Sequence, residues 1–117
     1  MERIKKVLDE LNVKYEINEE TDDCTASALV EFWTDTAGQD IPVEFDFDGT
    51  PEDFVKQFTK RAENYDVDEE VEIYVDMRGK NGVPNTVREL LDDCQEAKDT
   101  LMDISRRLND SLNLKKE

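Results

Sequence analysis

The sequence predicts an α+β fold in which a mixed or antiparallel sheet of three to four strands packs on helices. Apolar residues recur every three to four positions near both ends of the chain, the period of an amphipathic helix. Through the middle they alternate with polar residues, the period of a half-buried strand. The length of 117 residues suits one core of helices against a sheet and is too short for two, so residues 1–117 are expected to form a single domain.

Ile4, Val7, Leu8 and Leu11 fall on one stripe and predict a first helix over residues 2–11. Val13, Tyr15 and Ile17 alternate with Lys14 and Glu16, an edge strand before the polar turn Asn18 to Asp23. Ala28-Leu29-Val30-Glu31-Phe32-Trp33, within Thr25 to Thr34, has β character. After the Ala37-Gly38-Gln39 turn, Ile41, Val43, Phe45 and Phe47 alternate with Pro42, Glu44, Asp46 and Asp48, which completes a hairpin.

Thr50-Pro51-Glu52-Asp53 supplies an N-cap, a proline at the first helical position and acids at the positive end of the helix dipole. The helix that follows should reach about Tyr65 and bury Phe54, Val55, Phe58 and Ala62. Val71, Ile73, Val75 and Met77 alternate with Glu72, Tyr74 and Asp76, which predicts another strand, ended by the loop Arg78 to Pro84. Thr86 and Glu89 form a capping-box signature. Val87, Leu90, Cys94, Ala97, Leu101, Ile104 and Leu108 then mark a long C-terminal helix to about Asn109, roughly 35 Å.

The predicted order is therefore α-β-β-β-α-β-α. The last helix outruns strands of five to seven residues, which span about 17–23 Å. Its second half is expected to pair with helix 1 inside one chain, giving a monomer; a dimer through residues 87–108 is the alternative.

Acids number 31 against 15 bases, a formal charge of -16, and the isoelectric point is near 4.3. A phosphate backbone or anionic bilayer demands clustered Lys and Arg, so no direct nucleic-acid or membrane binding is expected. The expected partner is a basic protein surface. Met1 to Lys6 runs directly into the amphipathic pattern without the apolar core of a signal peptide, which predicts a cytoplasmic protein. A reducing compartment and the helical position of Cys94 favour free thiols at Cys24 and Cys94.

Phe32-Trp33-Thr34-Asp35-Thr36-Ala37-Gly38-Gln39-Asp40 and Gly79-Lys80-Asn81-Gly82-Val83-Pro84-Asn85 resemble segments of small acidic hypothetical proteins from clostridial bacteria and their mobile elements. The resemblance covers residues from about Phe32 to Leu108. It implies a bacterial cytosolic setting and no activity.

The sharpest chemical motif is Phe45-Asp46-Phe47-Asp48-Gly49-Thr50, similar to the D-x-D-G-T string of haloacid-dehalogenase-type phosphatases. There the first aspartate attacks phosphorus and the second handles the leaving-group proton, with Mg²⁺ neutralising charge. Those enzymes also need a larger parallel-sheet core, a buried apolar strand, a lysine and a further acidic pair. Here Glu44 interrupts the strand, so the simpler expectation is two aspartates on the wet face of a hairpin and a helix cap at Thr50, with no catalytic residue. A calcium loop starting at Glu44 fails because Val55 stands at position twelve. With no histidine and two distant cysteines, no metal site and no cofactor is expected. The Arg78 to Pro84 loop holds glycines and cations before a helix start, but its spacing matches no phosphate-binding loop and fits a turn.

Two runs are free of bases: Asp35 to Asp53 with seven acids, and Asp66 to Asp76 with six. If both strands in these runs turn apolar faces to the helices, Glu44, Asp46 and Asp48 share an open sheet face with Glu72, Tyr74 and Asp76. Trp33, opposite in phase to Val30 and Phe32, is either core or an interface residue. These seven residues are the candidate partner-binding set. The expected function is a non-catalytic acidic interaction protein docking on a basic partner, as a nucleic-acid-mimicking inhibitor. The alternatives are a self-associating structural or adaptor module built on the C-terminal helix and, third, a Mg-dependent phosphatase-like enzyme.

Overall fold

A computed structural model of the chain describes residues 1–19, 26–35, 38, 40–76 and 87–112, and the side chains of these except at 73–76 and 87. Cys24, Met77, the Arg78 to Pro84 loop and the Thr86 cap lie outside the described residues. The elements are α1 (Glu2–Glu10), β1 (Lys14–Asn18), β2 (Ala26–Trp33), β3 (Asp40–Phe47), α2 (Pro51–Asn64), α3 (Val67–Asp76) and α4 (Val87–Leu112). Among the described residues the sheet has three strands in the order β1-β2-β3, antiparallel throughout.

One expectation is corrected. Val67–Asp76 is a helix and not a strand, so the order is α-β-β-β-α-α-α. The sequence fits both periods: Val67, Val71 and Tyr74 make a helical stripe as readily as Val71, Ile73 and Val75 make an alternation. The start decides it. Asp66 Oδ1 accepts the Glu69 N–H at 3.2 Å, and Asp68, Glu69 and Glu70 fill the first turn, where the helix dipole favours negative charge.

The other ends follow local chemistry. α1 closes in a Schellman motif, with Asn12 at φ 58° and the Asn12 and Val13 N–H groups donating to Asp9 and Leu8. α2 starts at Thr50, whose Oγ1 accepts the Asp53 N–H at 3.1 Å, and Pro51 follows at the first helical position. The last carbonyls of α2, on Ala62 and Glu63, accept from Lys98 Nζ of α4.

The sheet buries one face only. Register places Tyr15 and Ile17 of β1 beside Val30 and Ala28 of β2, and these beside Val43 and Phe45 of β3. That face meets α2 through edge-on phenylalanines: Phe54 stands 5.1 Å from Phe45 and 5.2 Å from Phe47 between ring centres. α4 runs 26 residues, about 39 Å, and turns Leu90, Cys94, Ala97, Leu101, Ile104 and Leu108 inward. Ile4 and Leu8 of α1 are fully buried in the same cluster as Leu101, Ile104 and Leu108, so the helix pairing expected from the sequence is made within the chain. Arg3 Nη1 donates to the Ser111 carbonyl at 3.2 Å, tying the start of α1 to the end of α4.

Candidate partner-binding face

The face of the sheet away from the helices carries the residues that alternate with the core. By register its rows are Trp33 beside Asp40; Lys14, Glu31 and Pro42; Glu16, Leu29 and Glu44; and Asn18, Ser27 and Asp46. Five acids, Glu16, Glu31, Asp40, Glu44 and Asp46, stand against one base, Lys14. Leu29, Pro42 and Trp33 form an apolar band among them, and Trp33 is 58% exposed, the most open of the large apolar side chains described. The face therefore combines acids with some apolar area, and Trp33 stands at its end beside Asp40.

A shallow depression of about 660 Å³ crosses this face, lined by Glu16, Leu29, Glu44, Asp46 and the side chain of Arg61 from α2. At the other end of the face, a hydrogen bond to Asp40 raises the Glu31 carboxyl above its ordinary range, helped by desolvation and by the charge of Asp40, while Lys14 opposes the shift. Two carboxyls close enough to share a proton mark a locally dense negative charge. The Asp35 N–H, just past β2, donates to a Glu96 carboxylate oxygen and fixes the Trp33 end of the strand to α4.

The seven residues singled out from the sequence divide. Glu44, Asp46 and Trp33 come together on the open face. Asp48 does not join them: it lies beyond β3, and its Oδ1 accepts from Thr50 N at 2.9 Å and from Thr50 Oγ1 at 2.6 Å. Those bonds hold its carboxyl below the ordinary range. The Asp48 N–H donates to Asp53 Oδ2 at 2.8 Å, and Gly49 takes φ 92°, so Asp48-Gly49-Thr50 is the turn that starts α2. Glu72 is exposed on α3, and Tyr74 and Asp76 belong to the same helix; the shared sheet face expected for them fails with the strand that would have carried them.

Glu16, Glu31 and Asp40 are the acids that sequence reasoning missed. Glu16 alternates with Tyr15 and Ile17, Glu31 sits between Val30 and Phe32, and Asp40 precedes Ile41. Period-two alternation marks all three as outward residues; counting only the base-free runs passed over the first two.

Other features carry less. α4 presents Asp92, Glu96, Asp99 and Asp103 along one side of a shallow groove, and Asp103 is paired with Arg106 and Arg107. Cys94 is a free, buried thiol, pushed up by burial, against which the hydrogen bond with Tyr65 works only in part. No helix among the described residues is long and apolar enough to cross a membrane. Compared with protein-family models, with curated proteins and with solved structures, the chain matches none.

Proposed function

We propose that the chain is a non-catalytic interaction protein whose open sheet face docks on a basic protein surface. The observation that carries this is a face that no element of the described chain covers, with five acids, Glu16, Glu31, Asp40, Glu44 and Asp46, along it and the exposed Trp33 at one end beside Asp40. Buried indoles are the commonest anchors of protein interfaces, and a surrounding field of one sign steers and selects an oppositely charged partner. The natural partners are proteins that hold nucleic acid in a basic cleft, so the chain would act as a decoy for the phosphate backbone. The bacterial cytosolic setting implied by the sequence resemblance belongs to the same proposal.

The adaptor alternative, self-association through α4, has less in its favour. The heptad positions of α4 are spent on α1 and the core, and its outward Leu91 and Met102 lie near Asp92, Asp99 and Asp103, which a second copy would meet with like charge. The phosphatase-like alternative has less in its favour, because Asp48 Oδ1 is engaged by Thr50 in the turn that starts α2.

The test is capture from a bacterial lysate with identification of the bound proteins. Basic nucleic-acid-binding proteins should be retained at low salt, released at about 0.5 M salt as screening shortens the reach of surface charge, and lost from the Asp40→Lys, Glu44→Lys, Asp46→Lys triple variant. Retention of the same proteins by that variant contradicts the proposal.

A further inference from the structure

The charge of the open face is not spread evenly over its strands. The outward residues of β1 are Lys14, Glu16 and Asn18, whose charges cancel, while those of β3 are Asp40, Pro42, Glu44 and Asp46, three acids and no base. β3 is also the longer edge, eight residues against five, and it pairs on one side only. Among the described residues no hydrogen bond from another element reaches its outer side. Pro42 is tolerated there because an edge strand can do without that N–H. An edge of this length with unpaired backbone groups is a template for another strand.

Both flanks of the edge are shaped. On the open side lies the depression lined by Glu44, Asp46 and Arg61; on the core side a second hollow of about 270 Å³ is lined by Ile41, Pro42, Val43, Tyr65 and Leu101 together with Asp40, Glu44, Glu70 and Arg61. A strand laid beside β3 points alternate side chains to these two sides, one facing the acids of the open face and one where Ile41, Val43, Tyr65 and Leu101 offer apolar contact between charged neighbours. A second copy of the chain is excluded as the occupant, since β3 against β3 sets Asp40, Glu44 and Asp46 against themselves.

Resting on the function proposed above, we infer that the partner binds by adding an extended segment to the outer edge of β3, with arginine or lysine alternating with apolar residues. The main chain supplies the affinity and the alternation supplies the choice. Among the described residues, Arg61 is the only base lining the two hollows, and it lines both. It repels a cation placed beside it, so removing it should tighten the complex.

The probe is an eight-residue peptide alternating arginine and valine, with two further versions N-methylated at the odd or at the even residues. Binding is followed by Trp33 fluorescence and by amide hydrogen exchange over β3. An added strand turns only alternate amides to its neighbour, so one methylated version should lose about tenfold or more in affinity, through two or more lost hydrogen bonds. The other should bind within about threefold of the parent, the β3 amides should gain protection, and Arg61→Ala should bind more tightly. Equal binding by all three peptides, or none by the parent, overturns the edge mode. If the peptides bind alike yet are lost on Glu44→Lys with Asp46→Lys, the acidic face stands and only the edge mode falls. If that variant also binds them unchanged, both fall.

Discussion

Ile41 to Phe47 and Val71 to Asp76 look alike as strings, apolar and acidic residues in alternation within runs that contain no base, yet one is the edge strand β3 and the other the helix α3. The difference lies at their starts and inside them. Pro42 bars Ile41 to Phe47 from a helix interior, while β2 offers it an eight-residue ladder. Val71 to Asp76 is preceded by Asp66, which caps, and by three acids suited to a helix N-terminus, and glutamate is itself a good helix former. Alternation therefore reports a half-buried strand only where no cap lies upstream. The consequence for function is direct: the acids of β3 stand on a sheet face beside Trp33, and those of α3 do not.

The largest expected effect comes from a proline in α3. Glu72→Pro removes an N–H that a helix uses and clashes with the preceding turn, so it should cost about 3 kcal/mol in urea unfolding. A negligible cost would restore the half-buried strand expected for Val71 to Met77. Cap removal comes next. Asp66→Ala and Thr50→Ala should each cost about 1 kcal/mol, the first with a loss of helical circular dichroism from α3.

The smallest effects are titrations, and their signs are opposite. Asp48 has a depressed folded value, because Thr50 hydrogen-bonds its carboxylate; its stabilising contribution is present at neutral pH and is lost as pH falls below the ordinary carboxylate range. Glu31 has a raised value, chiefly through its hydrogen bond with Asp40. Its contribution is full below the ordinary glutamate range and is lost as pH rises through the raised value. Carboxyl carbon NMR should find the Glu31 midpoint above, and the Asp48 midpoint below, those of exposed acids, and Asp40→Asn should reduce the upward shift of Glu31, leaving the part due to desolvation.

Much of the fold was legible because its signals are local. The α4 stripe from Leu90 to Leu108 is buried at the spacing the sequence implies, α2 starts at Thr50, and the Ile41 to Phe47 alternation is a strand with its phenylalanines inward. The pairing of α1 with α4 followed from a length mismatch, a physical argument about where Leu101, Ile104 and Leu108 find cover. α4 continues to Leu112, three residues past the expected end, and Leu112 still packs against the core. The site was half legible. Glu44 and Asp46 follow from alternation within one strand, but their neighbours Glu16 and Glu31 depend on register across strands, which no single stretch of sequence encodes. Asp48 misled because alternation continues one residue past the strand, into a turn whose geometry belongs to the next helix.

Position on the open face, and not total charge, is expected to determine binding. Two variants with the same change in net charge separate these: Glu44→Lys with Asp46→Lys on β3, and Asp92→Lys with Asp99→Lys on the outer side of α4. Affinity for a captured basic partner, or for the arginine-valine peptide, should be measured for both at about 0.15 M salt, where charges more than about 8 Å away are largely screened. The β3 pair should lose at least about 30-fold, roughly 2 kcal/mol, and the α4 pair less than about threefold. Equal losses in the two variants would contradict the claim, because the partner would then be responding to the overall charge of the chain.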